Sequence, residues 1–186
     1  MLSIEVNSTL LLRTYKPEDA AALFAVIDTN RSHLRPWLPW VDSTLREEHS
    51  LLFIEHALSQ LHHQEGLAMG IFYNSELIGG IGMHQWDHKL RKAQVGYWIS
   101  TRYQGRGIMV RCLQAFLDYL FENLSLNKVE IQFIAANHRS ASLAAKLGAS
   151  VEGVLRESCL VSGRLEDLIV TGILCREWIA NKKAAV

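Results

Sequence analysis

The run Arg102-Tyr103-Gln104-Gly105-Arg106-Gly107-Ile108-Met109 places two glycines one residue apart, with two arginines around them. Glycine at 105 and 107 lets the main chain turn tightly and present successive N–H groups. Together with the positive end of a helix beginning here, those groups form a site for phosphate oxygens. Arg102, Arg106 and Arg111 add positive charge in the same place. A plain strand-to-helix turn uses glycine too, so the run by itself leaves both readings open. It is not a P-loop, because no Gly-Lys-Ser/Thr follows at the required distance. Nor is it the dinucleotide GxGxxG, since Val110 stands where the third glycine belongs.

Other reactive side chains read less sharply. Asn137 is a natural helix N-cap, with Ser140 on the first turn beyond it. His49, His56 and His63 recur every seven residues on one helix, but ligands one turn apart with a carboxylate are absent, so a solvated stripe is expected and no metal. Cys112, Cys159 and Cys175 are odd in number, without CxxC spacing, and predict neither a disulfide framework nor a zinc site. Buried packing is the default for such thiols.

The elements that must position these residues follow from periodicity. Thr9 to Tyr15 reads as a strand, and Pro17-Glu18-Asp19 opens a helix through Ile27. Pro36 and Pro39 exclude regular helix from Leu34 to Trp40, where two tryptophans could wall a pocket or pack under a loop. Glu47 to Gln64 is helical, with Leu51, Ile54, Leu58 and Leu61 on one face. Leu67 to Tyr73 and Leu77 to Trp86 flank a polar turn and predict a hairpin. Ala93 to Ile99 is a further strand. Met109, Leu113, Phe116, Leu117, Leu120, Phe121 and Leu124 then mark the strongest helix of the chain. Val129 to Phe133 alternates at period two, and Ser140 to Leu147 is a short helix stopped by Gly148. A closing hairpin joins Gly153 to Val161 with Leu165 to Cys175 through Ser162-Gly163. The expected architecture is mixed α/β.

Composition bounds the rest. The chain has 186 residues, and 19 Lys plus Arg balance 19 Asp plus Glu, which argues against a protein coated in basic charge for nucleic acid. A hydrophobic content of 49% excludes disorder, and 186 residues are enough for one ordinary domain, expected over 1–186. No apolar run reaches the length of a membrane span, and no secretory signal is visible, so a cytoplasmic location is expected.

The ordered set of motifs resembles a known family. Arg102-x-x-Gly105-x-Gly107 is similar to the acyl-CoA loop of GNAT N-acetyltransferases, and the likeness runs through Gly96-Tyr97-Trp98-Ile99, Asn137-x-x-Ser140 and Lys146-Leu147-Gly148. Val151-Glu152-Gly153, the Ser162-Gly163 hairpin and Trp37-Leu38-Pro39-Trp40 also match in order. The resemblance is strongest to the branch that acetylates N-termini of ribosomal proteins. It implies a mostly antiparallel central sheet flanked by helices, with the strand ending at Ile99 splayed from that at Val129. It implies acetyl-CoA as acyl donor, the pantetheine arm beside Trp98 and Ile99, and the pyrophosphate on the N–H groups of Gln104, Gly105, Arg106, Gly107, Ile108 and Met109. By the same likeness, Asn137 fixes the cofactor or a water, and a backbone N–H near Ile99 polarises the thioester.

Direct attack by an amine also needs a proton donor for the departing thiolate and a base for the amine. The resemblance points to Ser140 as donor. Spermidine acetyltransferases, also similar, carry tyrosine where this chain has Ala144, so that donor is absent. The family's base positions hold Gln94 and Cys159 here, which leaves His84, Glu130 or a water as base. The expected acceptor is a protein N-terminal amine; a small amine, or a CoA-binding module without catalysis, stays open. The closing hairpin implies a homodimer by analogy. From His88 to Leu117 the chain has six basic residues and no acidic one, leaving thirteen basic against nineteen acidic elsewhere. Such a remainder suits a cationic acceptor.

Overall fold

Alternation along a strand sends successive side chains to opposite sides of a sheet. In the strand Leu67–Tyr73, Leu67, Met69 and Ile71 join one apolar cluster while Ala68 and Phe72 join another. The whole fold repeats that division. The computed structural model describes residues 1–161 and 163–184. Its strands are β1 (Ser3–Asn7), β2 (Leu10–Thr14), β3 (Leu67–Tyr73), β4 (Glu76–Asp87), β5 (Lys92–Ile99), β6 (Lys128–Ile134), β7 (Ser150–Val161) and β8 (Arg164–Leu174). The helices are α1 (Ala20–Thr29), α2 (Arg31–Leu34), α3 (Glu47–His62), α4 (Ile108–Glu122), α5 (His138–Lys146) and α6 (Cys175–Ala184).

The strands form one eight-stranded sheet in the order β1-β2-β3-β4-β5-β6-β8-β7. Every neighbouring pair is antiparallel except β5 and β6, which run parallel with α4 as their crossover. A parallel pair requires such a long connection, so the strongest helix lies where the topology needs it. On one face α4 buries Ile108, Met109, Cys112, Leu113, Phe116, Leu117, Leu120 and Phe121 against Ile81, Val95, Val129 and Ile131. Each large apolar side chain fully buried there contributes about 1.5–3 kcal/mol. On the other face α1 and α3 bury Leu23, Ile27 and Ile54 over Tyr15, Phe72 and Leu77.

The expected mixed, mostly antiparallel sheet is present, with differences in detail. β1 is an additional strand, foreshadowed by the alternation of Ile4 and Val6 and packed on the α4 face. Pro17–Asp19 is a 3-10 turn preceding α1, because Asp19 turns back to accept the Lys16 N–H at 2.8 Å. α6 follows β8 and is anchored by buried Trp178, whose Nε1 donates to Asp118 at 2.7 Å. In the closing hairpin Gly163 has φ +80°; Ser162, its expected partner in the turn, lies outside the described residues.

Candidate active site

The parallel seam is short. β5 and β6 pair only through Lys92↔Lys128, Ala93↔Val129 and Gln94↔Glu130. Beyond Gln94, β5 stays paired with β4 as far as Ile99↔Gly79, and β6 stays paired with β8 as far as Ile134↔Leu168. The two strands therefore part toward their carboxyl ends. The facing edges of residues 95–99 and 131–134 present main-chain groups with no strand between them, a gap suited to an extended amide-bearing chain. Ligands of open sheets gather at this kind of place, outside the carboxyl ends of parallel strands.

β5 leads from the gap into the glycine loop. Ile99 is buried on the α4 side, whereas Trp98 packs on the opposite side, edge-on to Trp40 at a centroid distance of 6.1 Å. A turn over Thr101–Tyr103 follows, then Gln104, Gly105 with φ +73°, Arg106, and Gly107 with φ +68° at the N-cap of α4. Added β-carbons would meet nothing within 4 Å at Gly105 and only Arg111 Nη1, at 3.5 Å, at Gly107. Backbone conformation, not space, thus demands glycine at both positions. The first-turn N–H groups of α4, from Ile108 and Met109 onward, have no intrahelical acceptor and face the loop's concavity with the positive end of the helix dipole. Among the described residues, Arg106 and Arg111 form no ion pair, while Arg102 stands 3.7 Å from Glu76.

Three contacts that sequence reasoning missed hold this loop. Buried Asn30 accepts the Thr101 N–H at 2.8 Å and the Thr101 hydroxyl at 3.0 Å. Tyr103, buried beneath the arginines, donates its hydroxyl to Glu76 at 2.7 Å. The Gln104 carboxamide spans the loop, donating to His33 Nε2 at 2.5 Å and accepting from Arg139. Partial burial, with Arg139 nearby, holds the His33 imidazole below its ordinary pKa, which suits it to accept. Nothing in the local sequence announces these partners, which lie 27 to 71 residues apart.

On the β6 side of the gap, Asn137 caps α5 as expected, its Oδ1 accepting the Ser140 N–H at 3.1 Å. Ser140 itself is half-buried on the first turn of α5. The Tyr97 hydroxyl is buried and makes no hydrogen bond among the described residues; burial pushes its pKa up. Period-two alternation from Ile99 was the available signal that Tyr97 faces α5 while Trp98 faces away. Ala144 is buried, so the position that carries tyrosine in spermidine acetyltransferases is filled by core packing.

His84 lies on the other face, paired across the sheet with Gln94, the last β5 residue before the strands part. Although the residue is exposed, its ring lies over the strand: a β-carbon at Gly96 would be 3.8 Å from His84 Cε1. Partial burial lowers the imidazole pKa despite the support of Gln94, which favours the neutral ring that a base requires. Glu130, the other candidate base, is committed elsewhere. Its carboxylate accepts from Lys92 at 3.0 Å and lies 3.2 Å from Lys128. Burial opposes its ionisation, but the two lysines outweigh that and hold it below the usual carboxylate range. Burial pushes the Cys112 thiol up to about 12, so it is an inert part of the core. His49 accepts the Leu45 N–H and His63 contacts the Ser59 carbonyl, and no cluster among the described residues could hold a metal ion.

A splayed parallel pair leading into a glycine-rich helix start is matched by what the chain resembles as a whole. The model of the acetyltransferase (GNAT) domain matches residues 9–150. YdaF of Bacillus subtilis (strain 168), which carries the name of a ribosomal N-acetyltransferase, is 31% identical over 183 residues, covering 98% of this chain and 100% of that protein. The ribosomal-protein-serine acetyltransferase of Escherichia coli (strain K12) is 26% identical over 168 residues, 89% of this chain and 93% of its own length. Among solved structures, the ribosomal-protein-S5-alanine acetyltransferase from Vibrio fischeri superposes with a TM-score of 0.88 at 25% identity, over 96% of this chain and 99% of that one. The chain belongs to the GNAT acetyltransferase family and is an acetyl-CoA-dependent N-acetyltransferase.

Proposed function

We propose that the protein acetylates the N-terminal α-amine of a ribosomal protein, with Ser140 as the acid and His84 as the base. The observation that carries this reading is the parting of β5 from β6 just past Gln94↔Glu130, with α5 and its first-turn Ser140 following β6 and His84 of β4 paired with Gln94. Acetyl-CoA would lie between the strands, its pantetheine arm along Trp98 and Ile99, its pyrophosphate on the N–H groups of residues 104–109, and Arg106 and Arg111 beside it. A neutral amine nitrogen attacks the thioester carbonyl carbon, and His84 takes the proton released from nitrogen, directly or through a water. Collapse of the tetrahedral intermediate breaks the C–S bond. The sulfur takes the Ser140 hydroxyl proton, and Ser140 regains one from solvent after coenzyme A leaves. Asn137 fixes the first turn of α5 and thereby the position of Ser140.

The relatives' names support the acceptor class, as do the missing tyrosine at Ala144 and the excess of acidic residues outside the 88–117 segment. Basic ribosomal proteins suit such a surface, and they would place the enzyme in the cytoplasm as a single domain. Val154, Leu155, Leu160 and Leu165, at least half exposed on the edge hairpin β7–β8, favour a homodimer through that hairpin.

The test is acetyl transfer from acetyl-CoA to synthetic peptides beginning with serine or alanine, followed by mass spectrometry and thiol release, beside spermidine and free amino acids. Peptides should outrun the small amines, and Ser140→Ala should lower kcat about 10²-fold. Preference for spermidine would overturn the acceptor, and unchanged turnover in Ser140→Ala would remove Ser140 from the mechanism.

A further inference from the structure

Gly96 is a strand glycine that neither backbone conformation nor packing requires. Its neighbours in the sheet differ. A β-carbon built on Gly70, Gly79, Gly80 or Gly82 would come within 2.4 to 2.7 Å of another atom, so those four positions must stay small. At Gly96, chain neighbours aside, it would meet only His84 Cε1 among the described residues, at an ordinary contact distance of 3.8 Å. The left-handed conformation that reserves 105 and 107 for glycine is absent here. Nor is there a bulge, because the register runs evenly from Gly79↔Ile99 to His84↔Gln94. Glycine weakens a strand interior, and with bulge and neighbouring backbone excluded, the remaining reason for one is close approach of a ligand.

The uncovered floor lies beside His84. Val95 and Ile99 join the cluster on the α4 side of β5, so Gly96 shares the opposite face with Gln94 and Trp98. On that face Gly96 is exposed. Trp98 leans away from it across β4, its indole nitrogen lying 2.6 Å from where a Gly80 β-carbon would stand. Gly82, paired with Gly96, has no side chain to fill the space either. This bare strip adjoins the stretch of β5 that has left β6. A coenzyme arm held between the strand edges would leave the face itself free.

We infer that Gly96 determines the size of the acceptor, its bare backbone being the floor on which the first residue of the acceptor peptide sits. An amine nitrogen within hydrogen-bond reach of the His84 ring carries its α-carbon and side chain onto the adjoining floor. A side chain at 96 would take the same space. This inference rests on the reading of a peptide acceptor with His84 as base.

The test compares wild type with Gly96→Ala and Gly96→Val, using acetyl-CoA and peptides that begin with glycine, alanine or serine. Gly96→Ala should lower kcat/KM for the serine peptide about tenfold, the worth of one misplaced methyl in a fitted site. The loss should be smaller for the glycine peptide, and larger throughout in Gly96→Val. Calorimetry should find acetyl-CoA affinity unchanged in Gly96→Ala. Its thermal midpoint should be no lower than wild type, since alanine loses less freedom than glycine on entering a strand. A wild-type kcat/KM in Gly96→Ala with the serine peptide overturns this inference alone. So does an equal loss with all three peptides, a matching loss of acetyl-CoA affinity, or a lowered midpoint. A wild-type enzyme that prefers spermidine to every peptide sinks the acceptor reading and this inference with it.

Discussion

The Asn30 carboxamide oxygen accepts both the backbone N–H and the hydroxyl of Thr101, at 2.8 and 3.0 Å, tying the end of α1 to the start of the glycine loop. Its amide nitrogen donates to the Val26 carbonyl at 2.8 Å, so the side chain is satisfied on both ends while almost wholly buried. Asn30→Ala leaves the Thr101 donors without a partner, which costs about 1–3 kcal/mol of stability. The loosened loop should weaken acetyl-CoA binding about tenfold, equivalent to ~1.4 kcal/mol. Calorimetry with acetyl-CoA and a thermal melt check both, and wild-type affinity in Asn30→Ala would show the loop to be held by other means.

Gly107 and Gly105 separate conformational from steric demand. Both have positive φ, and neither would crowd a β-carbon against the backbone. Alanine at either position should destabilise by about 1–2 kcal/mol through the left-handed conformation alone. Asparagine, which tolerates that region better, should cost less than alanine at Gly105. Thermal melts of the free variants check this, and equal losses for Ala and Asn at Gly105 would show that the left-handed backbone is not what demands glycine there.

A base takes a proton only when neutral, so the sign of the His84 shift fixes the direction of its pH dependence. Its pKa is lowered by partial burial. Activity should rise with pH in two limbs, a lower one with its midpoint below that of free histidine, about 6.5, and a higher one from the peptide's own α-amine at about 7.7–8.0. In His84→Gln the lower limb should vanish and the rate at neutral pH drop. A kcat/KM profile of that variant overlying wild type would exclude His84 as base.

Glu130 tests the seam itself. Lys92 and Lys128 hold its pKa below the usual range, so its contribution to stability is fully present above the unfolded-state pKa, about 4.3. That contribution is lost as pH falls through the folded value. Glu130→Gln should therefore lower the thermal midpoint at pH 7, with the gap to wild type closing under acid conditions. A gap that persists unchanged at low pH would show that the loss comes from packing and not from the lysine pairs.

Local signals carried much of this protein. The repeat of apolar residues from Met109 to Leu124 made α4 legible, because an amphipathic helix writes its buried face into spacing. The glycines at 105 and 107 were legible for a similar reason: a left-handed backbone restricts residue type locally. Asn137 as cap needed only its own neighbours, three residues away. His84 and Glu130 looked equally free as bases in sequence, and only the pairing of Lys92 and Lys128 across the seam removed Glu130.

The sequence by itself determined α1, α3, α4 and α5, most strands and the glycine turns, each of which depends on residues within a few positions of one another, and it carried the ordered family pattern along the chain. Tertiary structure alone decided where β5 leaves β6 and that Asn30, His33 and Arg139 grip the loop. Those relationships join groups 35 to 71 residues apart in the loop contacts. No local propensity encodes such contacts; they exist only once burial of the two cores has brought α1, α2, β5 and α5 together.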